Sequence, residues 1–129
     1  MTQTILLADD STTIQRLVAQ TFEDADYTVV SVSNGEAAVR KFEEVRPSIV
    51  LADIYMPGKN GYEVCSFVKA HPTMGKTPVI LLVGAFEAFD ENEAESVSAD
   101  GRIKKPFEPQ ELLDLVSGMI DDAETGGVH

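Results

Sequence analysis

The amino-acid sequence predicts an α/β domain in which helices flank a parallel five-stranded sheet. Four short apolar segments, rich in leucine and β-branched residues, are separated by segments with helical spacing. The apolar segments do not alternate cleanly with polar residues, which is typical of strands that helices cover on both faces. This alternation of strands and helices predicts parallel strands joined by right-handed crossovers.

Each predicted strand is a short segment bounded by turn or helix signals. The five segments are ILLA from Ile5, YTVVSV from Tyr27, IVLA from Ile49, VILLV from Val79 and GRIKK from Gly101. The last segment is the least apolar of the five, and it is the only candidate for a fifth strand. The sheet therefore has one more strand than the strong apolar segments alone indicate.

The intervening segments carry apolar residues at helical spacing, and polar start signals precede them. Asn34 precedes one helix and Pro109 opens the last, while residues 86–98 are predicted to form a helix with a thin apolar face. The apolar faces are Ile14, Leu17, Val18 and Phe22; Ala38, Phe42 and Val45; Val64, Phe67 and Val68; and Leu112, Leu115, Val116 and Met119.

Length and composition indicate one globular domain that does not bind nucleic acid. The chain has 129 residues, a net charge of -12 and a single cysteine, Cys65. Phosphate backbones need a basic surface, and one cysteine forms no internal disulfide. Without a basic segment and an apolar stretch near residue 1, we expect no membrane association and a cytoplasmic location. We expect the domain to cover residues 1–121 and residues 122–129 to form a flexible tail or the start of a linker.

Three carboxylates follow predicted strands at the same edge of the sheet. Asp9 and Asp10 end the first strand, and Asp53 ends the third. The carboxyl ends of parallel strands gather binding groups, so the three side chains are expected to converge. The adjacent acids could also be a solvated helix cap. A cluster of oxygens without nearby His or Cys suits a hard cation such as Mg²⁺.

A lysine reaches the same edge from the fifth strand. Lys105 follows that strand and precedes a proline, which fixes the turn. Three acids, a metal ion and a lysine can together hold a phosphoryl group on a carboxylate. Lys104 is the neighbouring alternative to Lys105 for this role.

The segments LLADDS, VLADIYMPGKNGYE and KKPFEP, in this order and spacing, resemble the response-regulator receiver domain from about residue 4 to about residue 120. The resemblance implies a flavodoxin-like sheet of order 2-1-3-4-5 with five flanking helices. It also implies a phosphoacceptor signalling domain that catalyses only its own phosphorylation and dephosphorylation. The implied partners are a sensor histidine kinase or a histidine phosphotransfer protein, and an output protein or fused effector that the sequence does not identify.

The resemblance also implies a role for each matching residue. Asp53 would accept the phosphoryl group, Asp10 would bind Mg²⁺ directly and Asp9 would bind it through water. The backbone carbonyl of Tyr55 would complete the metal ligands. Lys105 would pair with the phosphoryl oxygens, and its bond to Pro106 would be cis.

Two positions depart from the family pattern. The fourth strand of the family ends in Ser or Thr, whereas here Val83 or, after a shift of one residue, Gly84 stands there, and Arg102 replaces the usual aromatic residue. Backbone N–H groups at Gly84 and Ala85 would then supply the missing phosphoryl donors. These departures leave an alternative, a pseudo-receiver that binds proteins and signals without phosphorylation.

Overall fold

The computed structural model describes residues 3–124, which form a five-stranded parallel sheet between two layers of helices. The strand order is β2-β1-β3-β4-β5, which confirms the predicted fold class and order. The strands are β1 (Gln3–Ala8), β2 (Tyr27–Val32), β3 (Ile49–Asp53), β4 (Val79–Val83) and β5 (Gly101–Lys104). The helices are α1 (Thr12–Thr21), α2 (Gly35–Val45), α3 (Gly61–Lys69), α4 (Glu91–Ser96) and α5 (Pro109–Glu124).

The three central strands divide the core into two apolar clusters. Every residue of β3 and β4 is buried, and so are the last four residues of β1. Alternate side chains of these strands pack against α2, α3 and α4 on one face and against α1 and α5 on the other. This two-sided burial explains why the central strands are continuously apolar in sequence.

The outer strands are less buried than the central strands. Only Val32 is buried in β2, and only Ile103 is buried in β5. Each outer strand has one neighbouring strand, so helices cover it incompletely. Strand β2 is nevertheless covered in part on both faces, since Val30 and Val32 pack against one apolar cluster and Tyr27 and Val29 against the other.

The predicted helix over residues 86–98 is too long. Helix α4 begins at Glu91 and ends at Ser96. Its start is set by Asp90, whose side chain accepts a hydrogen bond from the N–H of Glu93 and caps the helix. The preceding residues form a loop in which Phe86 is fully exposed. Apolar spacing alone predicted the longer helix.

The last helix reaches three residues beyond the expected domain limit of residue 121. Helix α5 ends at Glu124, and the remainder of the predicted tail, residues 125–129, lies outside the described residues. Among residues 3–124, none of the helices is both long enough and apolar enough to cross a bilayer.

Candidate functional site

Asp9 and Asp53 meet at the carboxyl end of the sheet because their strands are neighbours. In the pairing of β1 with β3, Ala8 lies opposite Ala52, so the residue after each carries its carboxylate to the same edge. Asp9 and Asp53 are buried, at 0% and 3% exposure, while Asp10 is exposed. Two buried carboxylates at one place need a compensating cation, because burying an unpaired charge is costly.

The compensating cation in the chain is Lys105. Its Nζ donates to Asp53 Oδ2 at 2.9 Å and to Asp9 Oδ2 at 3.2 Å. The lysine follows β5, its N–H donates to the carbonyl of Val83, and its bond to Pro106 is cis. Lys104 is exposed, so the structure places Lys105 and not its neighbour among the acids.

The remaining oxygens of the two buried acids accept backbone hydrogen bonds. Ser11 N–H donates to Asp9 Oδ1 at 2.9 Å, and Tyr55 N–H donates to Asp53 Oδ1 at 3.1 Å. The hydroxyl oxygen of Ser11 in turn accepts from Ile14 N–H and caps α1. Both carboxylates are therefore held in fixed orientations by the loops that follow their strands.

Burial and neighbouring charges shift the pKa of two groups in the site. Burial raises the pKa of Asp9 above its usual value of 3.8, and the charge of Asp53 adds to that rise against the opposing effects of Ser11 N–H and Lys105. Burial lowers the pKa of Lys105, but its hydrogen bond to Asp53 and the charge of Asp9 outweigh this and leave the pKa raised. Lys105 is therefore firmly cationic, whereas burial disfavours the ionised form of Asp9.

The three acids match the donor set of a hard divalent cation. One oxygen each from Asp9, Asp10 and Asp53 lies within 4.8 Å of the others. These are carboxylate oxygens with no nitrogen or sulfur ligand among them, as Mg²⁺ prefers. The residues present therefore fit Mg²⁺. Tyr55 lies two residues after Asp53 in the chain, separated from it by the buried Ile54. Whether the carbonyl of Tyr55 is a ligand stays a prediction.

The loop after Asp53 is held by close contact with the start of α3. A Cβ on Gly61 would lie 2.6 Å from the carbonyl oxygen of Asp53, so this position needs glycine. Asn60 and Glu63 form a reciprocal capping box that fixes the first turn of α3. These contacts position the backbone of Asp53 rather than its carboxylate.

A glutamate carboxylate contacts the backbone at the end of β4, which the sequence did not predict. Gly84 is the first residue after β4, and its N–H donates to Glu87 Oε1 at 2.6 Å. Val83, which ends the strand, is buried in the apolar cluster beside α4 and has no hydroxyl group. One of the two backbone donors predicted for a phosphoryl group is thus already hydrogen-bonded to a carboxylate. Ala85, the other, is exposed.

Arg102 lies outside the acid cluster. Its guanidinium stacks over the ring of Phe89 at 4.3 Å and pairs with Glu91 Oε1 at 3.1 Å. It therefore joins β5 both to the loop before α4, through Phe89, and to the first residue of α4, Glu91.

Comparisons with known proteins agree with this fold. The family model of the response regulator receiver domain matches residues 5–117. Protein PilG of Pseudomonas aeruginosa is 30% identical over 116 residues, which cover 90% of this chain and 86% of PilG. The alkaline phosphatase synthesis transcriptional regulatory protein PhoP of Bacillus subtilis is 31% identical over 124 residues, 96% of this chain but 51% of PhoP.

A solved structure with the same fold is the receiver domain of the sensor histidine kinase PA1611 from Pseudomonas aeruginosa, described with a magnesium ion coordinated in its active site cleft. It superposes with a TM-score of 0.84 at 26% identity, over 94% of this chain and 99% of that domain. The chain thus spans most of some relatives and about half of the transcriptional regulator PhoP.

Proposed function

The chain belongs to the response regulator receiver domain family, and from this premise we propose that Asp53 accepts a phosphoryl group from a phosphohistidine. The observation that carries the proposal is the pairing of Lys105 Nζ with both buried acids, Asp53 at 2.9 Å and Asp9 at 3.2 Å. A fixed cation beside a carboxylate is what a phosphoryl group needs once it is attached there.

In the proposed reaction, an Asp53 carboxylate oxygen attacks the phosphorus atom of the phosphohistidine. A new oxygen–phosphorus bond forms as the phosphorus–nitrogen bond breaks, and the imidazole nitrogen keeps the electron pair of that bond. Lys105 then pairs with oxygens of the transferred group. The hydrogen bond from Tyr55 N–H to Asp53 Oδ1 keeps the carboxylate oriented for the attack.

We propose that Asp9, Asp10 and Asp53 hold Mg²⁺, with the carbonyl of Tyr55 as a further ligand. When bound, the ion offsets negative charge on the acids and on the phosphoryl oxygens. The proposal is supported by the cluster of carboxylate oxygens and by the magnesium described in the related receiver domain of PA1611.

The proposed donor is a sensor histidine kinase or a histidine phosphotransfer protein, and the proposed location is the cytoplasm. The proposed phosphohistidine donor is supported by the similarity to a receiver domain that belongs to a sensor histidine kinase. We propose that the domain acts as a switch for an output protein or a fused effector and not as an enzyme on other substrates. With a net charge of -12, the output is proposed to pass through protein contacts and not through direct binding of nucleic acid.

The test is incubation with acetyl phosphate and Mg²⁺, followed by intact-mass measurement. The native protein should gain the mass of one phosphoryl group, and Asp53→Asn should gain none. Lys105→Ala should accept the group more slowly, because the product loses its cation. Uptake by Asp53→Asn would move the acceptor to another residue.

The absence of uptake with any small donor would favour the pseudo-receiver alternative. Two observations support that alternative. Strand β4 ends at Val83, which has no hydroxyl group, and the exposed Arg102 side chain is paired with Glu91. In that case, the acid cluster would serve metal binding and stability alone.

A further inference from the structure

The loop between β4 and α4 places a carboxylate on a backbone donor next to the proposed acceptor. Glu87 Oε1 accepts from Gly84 N–H at 2.6 Å, a short distance typical of charge-assisted hydrogen bonds. The turn is closed by a second hydrogen bond, from Glu87 N–H to the carbonyl of Gly84 at 3.1 Å. Glu87 is half-buried, so this contact is partly screened from water.

The position of Gly84 relates this contact to Asp53. Strand β4 lies between β3 and β5, and its Leu82 pairs with Asp53 while its Val83 pairs with Lys104. Gly84 therefore leaves the sheet between the strand ends that carry Asp53 and Lys105. A phosphoryl group on Asp53 would need hydrogen-bond donors from the end of β4, where Val83, Gly84 and Ala85 carry no side-chain hydroxyl.

Gly84 also allows the carboxylate to approach. A Cβ at this position would lie 2.7 Å from Glu87 Cδ and 2.9 Å from Oε1, closer than real contacts permit. Alanine at residue 84 would therefore push the Glu87 side chain away while leaving the charge of the chain unchanged. Because the obstacle is the end of a flexible side chain, this substitution should be tolerated by the fold.

We propose that Glu87 is an internal competitor of the phosphoryl group: its carboxylate occupies Gly84 N–H until phosphorylation of Asp53 displaces it. This inference rests on the proposed function. The displaced side chain has space beside it, because Glu87 lines a cavity of about 360 Å³ together with Phe89, Arg102 and Lys104. Two of these residues are cations that can receive the released carboxylate.

In this scheme Glu87 replaces the missing hydroxyl as the moving part of the switch. Release of the carboxylate frees the loop that carries Phe86, which is fully exposed, and Phe89, which lies under Arg102. The conformational change is then an exchange of one anion for another at a single backbone donor.

The experiment compares the native protein with three variants by NMR, first without any ligand. Glu87→Ala removes the carboxylate, and Gly84→Ala displaces it at constant charge. Glu95→Ala is the matched control, since it removes one exposed carboxylate from helix α4. In Glu87→Ala, the amide of Gly84 should shift upfield and exchange faster with solvent, whereas in Glu95→Ala it should not change. An unchanged amide in Glu87→Ala would overturn the contact.

Beryllofluoride with Mg²⁺, a phosphoryl mimic, is then titrated into the same four proteins. Glu87→Ala should bind it about threefold to tenfold more tightly, the scale of one net hydrogen bond. Gly84→Ala should not bind it more tightly, because its Cβ would lie as close to a phosphoryl oxygen on this N–H as to Glu87 Oε1. Glu95→Ala should stay within about twofold of the native protein. Equal tightening by Glu95→Ala, or binding by the native protein without tightening in Glu87→Ala, would overturn the inference and leave the proposed function standing. Failure of all four proteins to bind would contradict the proposed function itself, and the inference with it.

Discussion

Lys105 is the residue on which the buried acids depend. It contacts Asp53 and Asp9, which are almost completely shielded from water. Removing one partner of a buried ionic network leaves uncompensated charge and typically costs about 3–5 kcal/mol. At this site the cost should be lower when another cation is present.

We therefore expect Lys105→Met to lower the free energy of unfolding by about 3–5 kcal/mol without divalent metal. Urea denaturation at neutral pH measures this change, and millimolar Mg²⁺ should restore part of the loss. The neighbouring Lys104→Met is the matched control, because Lys104 is exposed, and it should change stability by less than about 0.5 kcal/mol. Equal losses in the two variants would mean that the acids do not depend on Lys105.

The raised pKa of Asp9 predicts a pH dependence with a definite sign. The folded state holds the Asp9 proton more tightly than the unfolded state, whose pKa is near the usual 3.8. Asp9 therefore stabilises the fold most below 3.8, and this contribution is lost as the pH rises through its raised pKa in the folded protein.

The measurement is urea denaturation of the native protein and Asp9→Asn between pH 4 and pH 7, without divalent metal. As the pH falls through this window, the native protein should gain stability relative to Asp9→Asn. Taking the difference removes the contribution of carboxylates that lie far from Asp9. A difference that does not change with pH, or that changes in the opposite direction, would contradict the raised pKa.

At the scale of elements, short helix α4 is tied to α3 through one buried hydroxyl group. Tyr62 in α3 is 6% exposed, and its hydroxyl oxygen accepts from the N–H of Asp90, the residue that caps α4. Its ring also lies against that of Phe89. This contact fixes where the loop after β4 ends and the helix starts.

Tyr62→Phe should cost about 1 kcal/mol and speed hydrogen exchange at the Asp90 amide, because this partly buried N–H loses its acceptor. Tyr55→Phe is the matched control: Tyr55 is 53% exposed, and its hydroxyl donates to the carbonyl of Ala88 only at 3.5 Å. If both variants leave Asp90 exchange unchanged, the hydroxyl of Tyr62 does not hold the loop.

The sequence predicted those elements whose pattern is local and strong. The central strands and four of the helices follow from apolar segments and spacing, since burial on both faces leaves a continuous signal. Helix α4 was predicted too long because Phe86 and Phe89 fit a helical face, whereas capping by Asp90 decides the start.

The acid cluster could be predicted because it requires only strand ends and strand order. The contact of Glu87 with Gly84 could not, because it depends on a turn whose geometry the sequence does not specify. The surroundings of His71 could not be predicted either: it lies in a polar segment, yet its ring packs against those of Phe42 and Phe67. Its Nδ1 also accepts from two backbone N–H groups.

At the scale of the whole molecule, the acids are brought together by strand order rather than by sequence proximity. Asp10 and Asp53 are far apart in the chain and meet because β1 lies beside β3. A metal bound by residues from two strands binds the folded state and not the unfolded chain, so it should stabilise the fold.

Millimolar Mg²⁺ should raise the melting temperature of the native protein, and it should not raise that of Asp10→Ala. Asp24→Ala is the control, since it removes one exposed carboxylate from the turn after α1. This variant should respond to Mg²⁺ like the native protein. An equal response in Asp10→Ala would remove the metal site from the acid cluster.

The two apolar clusters on opposite faces of the sheet are expected to form at different stages of refolding. On one face α2 and α3 are consecutive helices, whereas on the other α1 and α5 lie at opposite ends of the described chain, and Tyr27 reaches Ser117 across 90 residues. Closing a long loop costs more entropy before its contacts form. During refolding, the face with α2 and α3 should therefore gain protection from hydrogen exchange first, and the docking of α5 should complete the fold.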